Sequence, residues 1–188
     1  IIFDKESSNN LEKLFDKTNY FIIKNRLEDI DNIFSLYRIA TEYQKDKFPD
    51  NQWPEFNREM VMSEIKDSRQ WKMVIDNKIA CIWAIMFNDP EIWEDRDTDP
   101  SIYIHRIATN PEFRGYKFVS HIVNWAKVYA KSKDKKHIRL DTCGYNTRLI
   151  EHYKTSGFNF LGIWKLKNHE GLPSHYHNAD VCFFEIKL

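Results

Sequence analysis

Only three cysteines, Cys81, Cys143 and Cys182, occur in 188 residues, far apart and with no Cys-x-x-Cys pair. An odd, dispersed set argues against a disulfide framework or a cysteine-based zinc site, and it fits a reducing, cytoplasmic compartment. Surplus charge is missing too, since 28 basic residues balance 28 acidic ones. Without a basic excess there is no electrostatic drive toward nucleic acid, so no nucleic-acid partner is expected. No apolar run approaches a membrane span, and the opening IIFDKESSNN lacks the basic region and apolar core of a signal peptide. No membrane partner is expected. Internal repeats, low-complexity tracts and Gly/Ser linkers are also missing.

What is present reads as one globular domain. Hydrophobic residues make up 42% and charged residues 30% of the chain, a balance that allows a sizeable core. Residues 1–19 form a polar leader and 20–188 a single domain. YFIIKN (20–25) reads as a strand. Ile30, Ile33, Phe34, Tyr37 and Ala40 recur at helical spacing and predict a helix over 27–48, ended by Pro49. A second helix is expected over 54–70, with Pro54 in its first turn. Strands 71–76 and 79–87 form a hairpin about Asn77-Lys78, followed by an acidic loop at 88–100 and a strand at 101–109. A helix carrying Phe118, Ile122, Ala126 and Tyr129, a strand at 136–142 and a helix at 146–157 capped by Gly157 come next. Strands at 158–166 and 181–188 finish the chain. This order predicts an α/β layer fold: a mixed central sheet of about six to seven strands flanked by helices, with a right-handed parallel crossover around 101–142.

The stretch NPEFRGYKFVSHIV (110–123) stands between a strand and a helix, where backbone N–H groups and the helix dipole can receive an anion. Arg114 and Lys117 add cations. An Arg-Gly turn before a helix is common, so a plain structural turn also satisfies this segment.

YIHRIATNPEFRG, followed by LDTCGYNTRLIEHYKTSGFNFLG, resembles the GCN5-related N-acetyltransferase (GNAT) family, and the resemblance extends over about 20–188. It implies an acyl-coenzyme A acyltransferase fold in which acetyl-coenzyme A enters between the strands at 101–109 and 136–142. The pantetheine is then expected against the backbone of Ile107, Ala108 and Thr109. The family loop, Arg/Gln-x-x-Gly-x-Gly/Ala, maps onto Arg114, Gly115, Tyr116, Lys117, Phe118 and Val119, with Ser120 next. Lys117 and Val119 stand where small residues are usual. A lysine there can take ordinary helical angles and still offer its N–H, while Val119 either crowds the diphosphate or turns into the core.

By the same resemblance Asn146 hydrogen-bonds the coenzyme, Tyr153 protonates the departing thiolate, and Tyr103 and His105 take the proton of the amine through water. Asn146 as a helix cap and Tyr153 as a packing residue are the plain structural alternatives. Tyr103 and His105 alternate on one strand and so share a face. The implied reaction is acetyl transfer from acetyl-coenzyme A to a small-molecule or peptide amine, without a metal, in a monomer or homodimer. A non-catalytic acyl-coenzyme A-binding or interaction module, its loop altered at Lys117 and Val119, is the competing expectation.

Other features carry less. His175 and His177, with no nearby cysteine or clear carboxylate partner in the sequence, make a weak metal argument. Cys143 has no adjacent histidine to activate it. The six carboxylates of 88–100 read as solvated or as a lure for a cationic amine, and Trp53 and Phe56 as packing or as lining for the acceptor.

Overall fold

The structure is a computed structural model that describes residues 19–47, 52–167, 170–177 and 179–188. The expected leader, apart from Asn19, and the stop at Pro49 lie outside the described residues. The strands are β1 (Tyr20–Lys24), β2 (Gln70–Ile75), β3 (Lys78–Met86), β4 (Ser101–Thr109), β5 (His137–Cys143), β6 (Asn159–Trp164) and β7 (Val181–Lys187). They form one sheet in the order β1-β2-β3-β4-β5-β7-β6. β4 and β5 run parallel; every other pair is antiparallel.

The helices are α1 (Ile30–Lys47), α2 (Arg58–Lys66), α3 (Pro90–Trp93), α4 (Phe118–Lys131) and α5 (Thr147–Thr155). On one face α4 and α5 cover the sheet. Phe118, Val119, Ile122 and Val123 of α4 pack there on Ile102, Ile104, Ile138 and Leu140. Each such side chain stabilises by roughly 1.5–3 kcal/mol relative to exposure. The other face carries α1 and α2 over Ile82 and Ala108. Beside them Ile92 and Trp93 pack on Tyr103 and Phe183. Among the described residues no helix is long and apolar enough to cross a membrane.

Three expectations shift. α2 begins at Arg58 rather than Pro54, because the side chain of Asn57 accepts the Met60 N–H at 2.9 Å and makes the better cap. It ends at Lys66, and Gln70 already belongs to β2. The hairpin turns at Asp76-Asn77, both at positive φ (48° and 60°), as the twist of antiparallel strands requires. The acidic segment is folded rather than a loop: α3 is followed by a 3-10 helix, Glu94–Thr98. Pro90 at the first turn starts α3, and burial of Ile92 and Trp93 holds it.

Candidate active site

β4 and β5 pair only through Ser101↔His137, Ile102↔Ile138 and Tyr103↔Arg139. Both strands continue, to Thr109 and Cys143, each with its outer neighbour still attached. Their facing edges therefore part beyond Tyr103 and Arg139, opening a wedge lined by backbone polar groups. Arg139 fastens its closed end. The buried guanidinium donates to Glu185 Oε2 at 2.8 Å, to Asp99 Oδ2 at 2.6 Å and to the Arg96 carbonyl, and it lies 4.9 Å from the centre of the Trp93 ring.

Farther along the wedge β4 bulges. Arg106 and Ile107 both oppose Trp83, because Ile82 pairs with Ala108 and Ala84 with His105. Arg106 takes φ +51° at this point, which increases local twist and turns the strand away from β5. The Arg106 Nη2 donates to both carboxylate oxygens of Glu64, at 2.6 Å each, which fixes the bulge to α2.

Just beyond the last β4–β5 pair His105 meets Asp89, which the sequence shows only as one of six carboxylates of 88–100, and two residues that the sequence did not single out. Its Nε2 stands 3.2 Å from Oδ2 of Asp89, an ion-pair distance off the line of a hydrogen bond. Asp141, on β5 two residues beyond the last β4–β5 pair, completes a group whose ligand atoms lie within 4.8 Å of one another. The Tyr176 hydroxyl donates to Asp141 Oδ2 at 2.7 Å. Burial opposes the imidazolium, but the carboxylates of Asp89 and then Asp141 outweigh it and raise the His105 pKa above 6.5. Burial pushes the Asp141 carboxyl up to about 6, against the pull of His105.

Tyr103 shares the face of His105 but not its setting. It is fully buried against Trp93, receives a long 3.4 Å contact from Arg139 Nη1, and is pushed up to about 12 by burial and by Asp97. The structure keeps it in the packing at the closed end of the wedge.

On the opposite face the anion-loop candidates assemble at the start of α4. Gly115 has φ +95°. Lys117, at φ 42° and ψ 44°, occupies the left-handed region, contrary to the expectation of ordinary helical angles. It adopts the conformation that a glycine there would take, at a steric cost of about 1–2 kcal/mol. Val119 turns into the core, 7% exposed, so its side chain leaves the loop's outer surface. Arg114 is exposed, its guanidinium 5.3 Å from the centre of the Tyr43 ring. Tyr116 stacks on Phe118. Lys117 and Ser120 join His152, Thr155 and Ser156 around a cavity of about 210 Å³ between α4 and α5.

Asn146 caps α5 by accepting the Leu149 N–H at 3.1 Å. Gly157, at φ +103°, closes the same helix, with Phe158 N–H donating to the Tyr153 carbonyl at 3.1 Å. Tyr153 is buried against Phe158 and Phe184. Burial, then the Asp141 carboxylate, raises its pKa.

The acidic segment is less solvated than expected. Asp97 accepts the Asp89 N–H, Asp99 accepts from Arg139, and Glu94 pairs with Lys167 at 3.0 Å. Trp53 and Phe56 pack on Tyr37, and Arg106 lies over Phe56. Of the segment around His175 and His177, it is Tyr176 between them that reaches the site. Burial and the Asp141 charge push the Cys143 thiol up, which leaves it a poor nucleophile.

The model of the acetyltransferase (GNAT) family matches residues 28–158. The uncharacterized N-acetyltransferase YesJ of Bacillus subtilis (strain 168) is 26% identical over 143 residues, 72% of this chain and 79% of that protein. A GNAT-family acetyltransferase from Listeria monocytogenes 4b F2365 superposes with a TM-score of 0.70 at 20% identity, covering 90% of this chain and 95% of its own. The polyamine N-acetyltransferase of Drosophila melanogaster superposes at 0.65 with 9% identity, over 90% of this chain and 100% of its own. With a seven-stranded split sheet and a family match across most of its length, this chain belongs to the GNAT acetyltransferase family and is an acyltransferase of that family.

Proposed function

We propose that the protein transfers an acetyl group directly from acetyl-coenzyme A to a primary amine. The observation that carries this reading is the wedge itself. His105 and Asp141 flank it on one face of the sheet, and Tyr153 and the Lys117 loop flank it on the other. The coenzyme's thioester arm lies along Ile107, Ala108 and Thr109, whose edge toward β5 is unpaired beyond Tyr103. Its diphosphate meets Arg114, Gly115, Tyr116, Lys117, Phe118, Val119 and Ser120, with Asn146 alongside. The inward turn of Val119 and the glycine-like angles of Lys117 support a working loop.

His105 removes a proton from the amine, directly or through water, while Asp89 stabilises the imidazolium that results. The neutral nitrogen attacks the thioester carbonyl, and backbone N–H groups of the open β4 edge steady the oxyanion. As the C–S bond breaks, Tyr153 gives its proton to the thiolate; a phenol of raised pKa is present in the protonated form the step needs. Holding both reactants in one wedge removes the entropy of a bimolecular encounter. Tyr103 is left to packing. The compartment that suits this chemistry, and the three free cysteines, is the cytoplasm.

Thermal shift with acetyl-coenzyme A, set against free coenzyme A and buffer, tests the reading. A ligand that binds only the folded state raises the melting temperature. No shift at millimolar acetyl-coenzyme A refutes the proposal. A shift without thiol release across a panel of amines would favour the non-catalytic binding module. Tyr153→Phe should lower kcat by about 10²-fold or more, the usual scale of acid–base catalysis, while coenzyme affinity stays within about twofold. A large loss of affinity would instead make Tyr153 a binding or packing residue.

A further inference from the structure

The Asp89–His105–Asp141 group has a surplus of acceptors. Oδ2 of Asp89, Nε2 of His105 and Oδ1 of Asp141 are each buried without a hydrogen-bond partner among the described residues. The Asp89 and His105 side chains are 6% and 13% exposed. Buried acceptors of this kind are costly unless something donates to them. The nearby cations are committed elsewhere, Arg106 to Glu64 and Arg139 to Asp99 and Glu185. With His105 neutral, as a base must be, the group holds no cation of its own and leaves three acceptors open to a compact cation with several N–H donors.

We propose that these three residues form the seat of the acceptor's ammonium, and that the acceptor is a strongly basic aliphatic amine bound in its protonated form. This rests on the acetyltransfer reading. An alkylammonium offers three N–H donors and one positive charge to two carboxylates and one neutral imidazole, with Tyr176 holding Asp141 in place. An arylamine or another weakly basic amine arrives neutral, with two donors and no charge, and leaves a carboxylate uncompensated. An acceptor carrying an anion beside its amine is repelled. The carboxylates that bind the ammonium also raise the basicity of His105, so tight binding does not strand the proton. One N–H proton passes to Nε2 of His105, the nitrogen uses the freed lone pair to bond the thioester carbon, and Asp89 retains the new imidazolium. As the C–S bond breaks, the second N–H proton leaves the nitrogen and replaces the proton that Tyr153 gives to the thiolate.

Initial rates of thiol release with acetyl-coenzyme A, using n-butylamine, spermidine, aniline and glycine as acceptors, test this in wild type and in Asp89→Asn and Asp141→Asn. Circular dichroism melts check that each variant folds. Both substitutions keep shape and remove charge, so either folded variant suffices. The expected result is that n-butylamine and spermidine exceed aniline and glycine in kcat/KM. Either Asn variant should then raise the alkylamine KM by about tenfold or more, as loss of one charged hydrogen bond implies, with the acetyl-coenzyme A KM unchanged. The inference is overturned if aniline or glycine matches the alkylamines, or if the folded Asn variants keep the wild-type amine KM. It is also overturned if Zn2+ binds at micromolar concentration, is lost in Asp89→Asn and resists displacement by n-butylammonium, since the group would then be a metal site. If acetyl-coenzyme A itself neither binds nor reacts in wild type, the acetyltransfer reading has failed and this inference falls with it.

Discussion

Glu64→Gln probes how the wedge is held open. The Glu64 side chain is 5% exposed and accepts the Arg106 Nη2 on both oxygens at 2.6 Å, with Gln70 Nε2 donating to Oε2 at 2.8 Å. Arg106, 14% exposed, carries the left-handed bulge residue of β4. Glutamine keeps the volume and one acceptor but leaves the guanidinium buried without its counter-charge. Removing one partner of a buried pair costs about 3–5 kcal/mol. Arg69, 3.6 Å from the same carboxylate, also loses a counter-charge. The retained amide oxygen still accepts from the guanidinium, so the lower end, about 3 kcal/mol, is expected as a minimum. That is a large share of the 5–15 kcal/mol typical of a domain. It corresponds to about 6–12 °C in Tm for a chain of this length. Urea unfolding followed by tryptophan fluorescence reads the change as a lower midpoint at constant slope. The strain of the bulge, about 1–3 kcal/mol, is then less firmly held, so stabilisation by acetyl-coenzyme A should also shrink. A Glu64→Gln protein within about 0.5 kcal/mol of wild type, the range of an ordinary surface substitution, would refute the claim that this pair pins the bulge.

Activity should rise with pH along an acid limb above pH 6.5, since His105 accepts a proton only when neutral and its pKa is raised. Asp89 and Asp141 face the ring, Tyr176 reaches it through Asp141, and Arg106 opposes them, so the limb reports the group rather than one residue. Asp89→Asn should move it to lower pH; an unmoved limb in pH–rate profiles assigns the base elsewhere. Lys117→Gly removes a left-handed lysine, exchanging about 1–2 kcal/mol of strain for about 0.5–1 kcal/mol of added chain entropy. Stability by urea titration should hold or rise slightly while acetyl-coenzyme A binds a few-fold more weakly for want of the ammonium; a loss above about 1 kcal/mol would contradict the strain argument. Arg139→Leu should cost about 3 kcal/mol in the same unfolding assay, because Glu185 and Asp99 lose their shared cation. A neutral outcome would mean that hydrophobic packing alone closes that end of the wedge.

The layer order of the fold was legible because it depends on local periodicity and turn chemistry. Alternation in SIYIHRIAT and threefold to fourfold spacing in the helix after it specify β4 and α4 without long-range knowledge. Competition between local signals explains the displaced start of α2, where Asn57 outranked Pro54 as a helix opener. The acidic segment was misread because its charges outnumber its two buried anchors, Ile92 and Trp93, which gain their partners only from β4 and β7. At Lys117 residue type alone favoured ordinary helical angles, and the left-handed angles come from the loop the chain must complete. The acid group around His105 lay beyond such reasoning. Asp89 opens a short helix and reads in the sequence only as one of six carboxylates over 88–100, while Asp141 in its strand and Tyr176 in a 3-10 turn are unremarked in their own stretches of chain. A signal did exist, in a carboxylate placed within the otherwise core-forming strand HIRLDTC.

The same architecture explains why an unsatisfied acid group is tolerable in this place. Parting two parallel strands forfeits ladder hydrogen bonds, and burying Asp89, His105 and Asp141 beside the gap adds a desolvation cost. Both costs fall on a stretch bounded by two ion-paired arginines. Arg139 ties β5, β7 and the 88–100 segment together at the closed end, while Arg106 and Glu64 tie β4 to α2 at the bulge. Neither arginine has spare carboxylate partners to share with the acid group, and neither neutralises it. The rigid pairs supply stability, and the poised group between them keeps its charge for a ligand. A substitution that let Arg106 swing from Glu64 to Asp89 or Asp141 would satisfy the group, and it would remove the negative charge that an incoming ammonium needs.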